Sequence, residues 1–240
     1  MIALVLLIAL AAAIVLIAVF LLNGKKSNDR QSSEQVYEMP FEVPGFTVLE
    51  NVSGTSFDNG LSVLCCGKYT GYFLEDGTDE QVKDVLAIVV QNNGSSLVEY
   101  GVIELPLSKT ETATFEFSGL PVGAAVLVQE KNRLTKTNGI KKASFVCTQC
   151  ALPGTVILNF GNDFELYTDD GVINMKNISG TDISTDVSVF YKNFEYGLFM
   201  GGITYRARVS GGIKAGEIGQ ALQNHFWADT SAVLYMSYGK

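Results

Sequence analysis

Residues 2–22 carry no charged or polar side chain, whereas from Phe46 onward short apolar runs alternate with clusters of Gly, Asn, Asp and Ser. The first pattern is that of a membrane-crossing helix. The second, rich in Val, Ile, Tyr, Phe and Leu, is that of β-strands punctuated by turns. It predicts strands at 60–66, 69–74, 84–92, 97–105, 111–117 and 123–130, then at 143–149, 155–160, 164–168, 171–177, 184–192, 203–210, 216–222 and 231–238. Only 79–83 and 217–224 have helix-like spacing, and both are short.

A helix over Ile2–Leu22 would extend roughly 32 Å, enough to cross the hydrocarbon core of a bilayer. A secretory signal has a shorter apolar core, about 7–15 residues, followed closely by a small-residue cleavage site. This run is longer and ends in Val19-Phe20-Leu21-Leu22, so an uncleaved single-pass anchor is expected. Residues 23–44 are polar, with Gly, Ser, Asn, Gln and two Pro, and read as a stalk. Lys25, Lys26 and Arg30 follow the anchor and no Lys or Arg precedes it. Taken literally, the positive-inside rule leaves the rest of the chain in the cytoplasm, but long soluble parts translocate largely regardless of flanking charge.

The two halves of the remaining chain echo each other. Ala87-Ile88-Val89-Val90-Gln91-Asn92 matches Val172-Ile173-Asn174-Met175-Lys176-Asn177. Phe117-Ser118-Gly119-Leu120-Pro121-Val122-Gly123 matches Val209-Ser210-Gly211-Gly212-Ile213-Lys214-Ala215-Gly216 with one inserted residue, and the acidic turns Glu75-Asp76-Gly77 and Asp169-Asp170-Gly171 correspond. A strand-built repeat of roughly 90 residues predicts two similar sandwiches, each closing its own core. The expected fold is therefore all-β, with two tandem Ig-like β-sandwiches at 45–138 and 139–240 behind the anchor at 1–22 and the stalk at 23–44.

Phe190-Tyr191-Lys192-Asn193, Gly201-Gly202-Ile203-Thr204-Tyr205-Arg206 and Lys214-Ala215-Gly216-Glu217 resemble strings in uncharacterised membrane-anchored proteins of Gram-positive gut bacteria. More distantly, the chain is similar to the FxLYD-type β-sandwich domains of bacterial surface proteins. The resemblance covers about 170–238, with a fainter echo over 84–130. It implies an extracytoplasmic Ig-like fold and supplies neither an activity nor a catalytic residue. The long loop and the aromatic end depart from the FxLYD pattern.

Composition narrows the chemistry. With 47% hydrophobic residues in 240, the chain can bury a core and is not disordered. Beyond residue 30 it has 14 basic and 24 acidic side chains, an excess that repels nucleic acid and anionic headgroups alike. A single His leaves little for a His-based site. Cys65-Cys66 and Cys147-x-x-Cys150 are open to three readings: buried thiols, one or two disulfides, or half of a zinc knuckle whose other half has the wrong spacing. His225 with Cys150 or Cys66 could form a nucleophile pair only if the fold brought them within hydrogen-bond reach. The acidic residues Glu75, Asp76, Asp79, Glu80, Asp163, Asp169 and Asp170 lack a calcium-loop pattern and read as solvated turns. No phosphate loop, dinucleotide fingerprint or nucleophile elbow is present.

The most informative group is aromatic. Asn193-Phe194-Glu195-Tyr196-Gly197-Leu198-Phe199-Met200-Gly201-Gly202 is too apolar for an ordinary connection, and exposed apolar patches mark binding surfaces. Phe194, Tyr196, Phe199 and Trp227 are the candidate partner contacts, with a hairpin tip folded back onto the sandwich as the competing reading. The sequence thus points to a non-enzymatic binding or structural module held in the cell membrane by residues 2–22. It would be displayed outside the cell, engage a protein or glycan, and need no cofactor, metal or nucleic acid. The alternative is an accessory subunit of a membrane or envelope assembly, its anchor packing through the small-residue face of Ala9, Ala12 and Ala13.

Overall fold

β-Branched and aromatic runs bounded by Gly, Asn and Asp give fourteen strands and no α-helix among the described residues of the computed structural model. The structure describes residues 42–49, 54–137, 140, 144–151 and 160–239. The expected anchor at 2–22 and nearly all of the stalk lie outside these residues. Among the described residues no helix is long and apolar enough to cross a membrane.

The strands are β1 (Phe46–Val48), β2 (Thr55–Ser56), β3 (Leu61–Tyr72), β4 (Gln81–Asn92), β5 (Val98–Pro106), β6 (Thr112–Leu120), β7 (Ala125–Gln129), β8 (Val146–Ala151), β9 (Phe164–Asp169), β10 (Val172–Asn177), β11 (Val187–Glu195), β12 (Leu198–Val209), β13 (Ile218–Leu222) and β14 (Ser231–Ser237). Several boundaries differ from the sequence pattern. The runs at 60–66 and 69–74 form one strand, β3, whose pairing with β4 shifts register between Val63 and Cys65 and between Tyr69 and Gly71. Such bulges let a strand bend and continue. Neither helix-like stretch is helical: β4 starts at Gln81 and β13 occupies most of 217–224. In the run expected at 155–160, only Phe160 is described, and it lies outside any strand. The strand expected from 203 begins at Leu198.

In the first half, β3-β4-β7 faces β6-β5-β8 across a core of Leu61, Leu86, Ile88, Ile103, Phe115 and Phe117, among others. In the second, β9-β10-β13 faces β12-β11-β14 across Ile173, Met175, Val189, Tyr191 and Phe226. β7 and β12 join the halves by parallel pairing, Phe199 opposite Val126 and Met200 opposite Leu127. One sheet therefore runs β1-β3-β4-β7-β12-β11-β14, with β2 on β3. β8 pairs with β5, and Ile140 and Phe145 lie in the first core. The first half thus extends past residue 138, where the sequence pattern sets its end.

The same local arrangement occurs twice. Asn92 ends β4 and donates its side-chain amide to Ser96 O and Leu120 O, both at 2.9 Å, while Oδ1 accepts from Gly94 N at 3.0 Å. Asn177 ends β10 and donates to Thr181 O and Ile213 O, both at 2.8 Å, while Oδ1 accepts from Ser179 N at 3.0 Å. The backbone repeats the match: Asn92 N donates to Ala124 O and Asn92 O accepts from Gly123 N, as Asn177 N donates to Glu217 O and Asn177 O accepts from Gly216 N. Val98 opposes Leu120 as Ile183 opposes Ile213. Each Asn is buried and ties a strand end to the turn that returns to it. A buried polar group left without a partner costs about 1–3 kcal/mol. Asn92→Ala and Asn177→Ala are therefore each expected to lower unfolding free energy by about 2–3 kcal/mol in urea titration, and by similar amounts. A loss below about 0.5 kcal/mol at either site would remove that Asn from its tethering role.

Candidate functional site

Strand alternation decides what stands at the seam between the halves. Val126 and Val128 of β7 point into the first core, so Ala125, Leu127 and Gln129 face the other way. That face packs with Cys65, Val89 and Leu198 in a further apolar cluster, and at its Gln129 end a cleft of about 540 Å³ opens, lined by Phe73, Glu75, Tyr100, Phe117, Lys131 and Ile203, among others.

A buried polar cluster forms its floor. Glu75 leaves the acidic turn after β3 and accepts from Gln129 N through Oε1 and from Gly202 N through Oε2, both at 2.7 Å. Lys192 of β11 is fully buried. Its Nζ donates to Ile203 O at 2.6 Å, Gly202 O at 2.8 Å and Ser118 O at 3.3 Å. Gln129, also fully buried, accepts from Leu74 N at 2.7 Å and donates to Tyr72 O at 2.9 Å. Position 202 has room only for glycine, because a Cβ there would lie 2.0 Å from Glu116 O and 2.7 Å from Glu75 Oε2.

Burial sets the electrostatics of this pair. Loss of hydration raises the Glu75 carboxyl above its ordinary range, opposed by the two backbone N–H groups and by Lys192. Loss of hydration likewise lowers the Lys192 ammonium, opposed by the Glu75 charge. Among the described residues no Lys or Arg forms an ion pair with the neighbouring Glu130, which is buried. It is held instead by Asn132 N and Leu134 N at 2.8 Å and by Thr114 N at 3.1 Å.

The rim is charged, with two cations set among three carboxylates. Lys131 meets Glu116 at 2.5 Å, and Arg133 meets Glu80 at 2.5 Å and Asp76 at 2.9 Å. The Arg133 guanidinium also lies 4.3 Å from the centre of the Phe73 ring, a cation–π distance. The Ser118 hydroxyl bonds to Thr204 Oγ1 at 2.9 Å and Gly202 O at 3.3 Å, and not to Lys192. The polar atoms of the floor are thus directed at backbone groups from both halves. The arrangement fastens chain segments together.

The expected partner contacts separate in space. Phe199 is only 5% exposed and belongs to the first core, so it is a packing residue and not a surface contact. Phe194 meets it edge-to-face at 5.2 Å between ring centres, yet stays 43% exposed. Tyr196 and Gly197 form the two-residue turn between β11 and β12, with φ of 53° and 81°. This is the left-handed geometry of a tight hairpin, where Asn is the usual first residue. Tyr196 is exposed at that tip, and Trp227 is exposed on the turn before β14. His225 stacks on Tyr205 at 5.2 Å and faces Asp79 across 3.8 Å. Its neighbours are aromatic and acidic, whereas Cys66 and Cys150 pack with the first core.

Cys65, Cys66, Cys147 and Cys150 form no disulfide with one another. Burial pushes Cys65 and Cys66 up to about 12, so neither is a thiolate at neutral pH. A register shift in β5–β8 between Val102 and Ile103 brings both Cys147 and Cys150 against the first core. Among the described residues no group of three or more His, Cys, Asp or Glu is placed to hold a metal ion.

Glu75 and Lys192 carry no sequence signal of their own. Glu75 sits in what reads as a solvated acidic turn, and Lys192 in what reads as ordinary alternation. A Lys inside the otherwise uncharged Val187–Asn193 run is the one available hint.

No family model and no curated protein matches the chain. Among solved structures, the chain aligns over 81% of its length with 51% of the C-terminal globular domain of an oligosaccharyltransferase from Pyrococcus abyssi, at 10% identity and a TM-score of 0.13. That score is far below the level of a shared fold.

Proposed function

We propose that this chain is a membrane-anchored display module. Residues 2–22 hold it in the bilayer and residues 23–44 lift it off the surface. Two Ig-like sandwiches, duplicated from one ancestor and divided between β8 and β9, stand outside the cell. The module binds or braces by surface complementarity, with a protein or glycan as partner, and catalyses nothing.

The observation that carries this reading is the seam. A continuous sheet and the Glu75–Lys192 cluster fasten both halves through backbone groups, which suits a stiff body presenting fixed surfaces. Phe194 and Tyr196 at the hairpin tip and Trp227 on its neighbouring turn are the aromatic groups such a surface would use. Tyr196 occupies a backbone conformation that a non-glycine residue adopts at some cost, which fits a ring placed there for contact.

The test is protease treatment of intact cells, with detection of the fragment after residue 44. Digestion without lysis is the expected result. Protection in intact cells, with digestion only after lysis, would overturn the outside placement and turn the search toward cytoplasmic partners.

A further inference from the structure

β13 is to the second half what β7 is to the first: it pairs with β10 in the register that β7 keeps with β4. The outer edges of the two strands differ. β7 is covered by β12, and the outward N–H of Gln129 is taken by Glu75. β13 has no strand on its far side among the described residues.

The pairing fixes which groups face that open edge. Asn177 N donates to Glu217 O, and Gln223 N donates to Gly171 O. In an antiparallel ladder the bonding direction alternates residue by residue. Residues 217, 219, 221 and 223 therefore turn their backbone groups toward β10, and Ile218, Gln220 and Leu222 turn theirs outward. Ile218 is 58% exposed and Leu222 71% exposed. Their counterparts in β7, Ala125 and Gln129, are buried.

Natural edge strands are blunted by charge, proline or a bulge. Ile218-Gly219-Gln220-Ala221-Leu222 has no charged residue and no proline, and its pairing with β10 shows no register shift. It is also self-complementary. When it is laid antiparallel against itself about Gln220, Ile218 stands opposite Leu222 of the second copy. The outward backbone groups of 218, 220 and 222 then all find partners, about six hydrogen bonds in total.

We propose that this edge is an interface between two copies of the chain, with β13 pairing antiparallel to β13 of a second copy around a two-fold axis at Gln220. The two three-stranded sheets become one of six strands, and each exposed Ile218 is covered by a Leu222.

The test uses the full chain in detergent. Light scattering at tens of micromolar protein should give the mass of two copies. Gln220→Lys sets two cations against each other at the axis and should weaken the dimer at least about tenfold. Ile218→Lys, away from the axis, should weaken it as well and serves if Gln220→Lys does not fold. Gln220→Cys should give a reducible covalent dimer that the native chain does not form, because opposed residues of a bonded pair stand about 5.5 Å apart at Cα, within disulfide reach. A monomeric native chain, a dimer unchanged by both lysine variants, or failure of Gln220→Cys to cross-link would each overturn the proposal.

Discussion

Lys192→Met is expected to lower the unfolding free energy by about 3–5 kcal/mol, because it leaves several buried acceptors without their donor at about 1–3 kcal/mol each. The substitution keeps the volume and flexibility of the side chain, so the loss comes from what it strands. Ser118 O and Ile203 O lose their Lys192 donor and Gly202 O keeps only the longer bond from the Ser118 hydroxyl, and Glu75 loses the Lys192 charge that lowers its carboxyl toward the ionised form. Glu75→Gln acts from the other side, because its amide would present a donor to one of two backbone N–H groups that now find carboxylate oxygens. The double variant Lys192→Met/Glu75→Gln should lose less than the two single losses together, since part of each is the stranding of the other. Urea unfolding of the four proteins of this cycle measures it. A Lys192→Met loss below about 1 kcal/mol would sink the reading of this pair as the fastening between the halves.

Phe199→Ala and Phe194→Ala should part widely, although the rings touch. Phe199 packs into the first core from a strand of the second half, so truncation empties space in one half and loosens its junction with the other. Large aromatic truncations in cores cost about 3–5 kcal/mol. Phe194 keeps nearly half of its surface in water, and its truncation should cost about 1 kcal/mol or less. Thermal unfolding separates them, and equal losses would show that the hairpin packs as one unit. If Phe194 contacts a partner, its variant should lose binding with its melting temperature almost unchanged.

Most strands were legible because their signal is local. The terminating Asn92 and Asn177, together with the returning glycines Gly123 and Gly216, fall where turn chemistry puts them. The errors of extent have local causes too. Bulges fuse two runs into β3, and the Tyr196-Gly197 turn is so short that strand resumes at Leu198. The seam was not legible. Lys192 reaches a carbonyl 74 residues away, and Gly202 meets a carboxylate 127 residues away. No window along the chain contains both ends of such a contact. A Lys on the outer face of a strand reads as solvated until another half of the molecule is laid over it. Phe199 failed for the same reason, its core being supplied by residues far earlier in the chain.

The parallel pairing of β7 with β12 also sets a timetable. During synthesis, β7 leaves the ribosome about 70 residues ahead of the strand that covers it, an interval of roughly 4–15 s at about 5–20 residues per second. Through that interval the first half has a core to collapse around but an uncovered edge, and Glu75 awaits the amide of Gly202. Nascent chains on one message then hold the same bare strand at the same moment. The spacing of ribosomes thus becomes a determinant of how much of this protein folds alone and how much pairs with its neighbour.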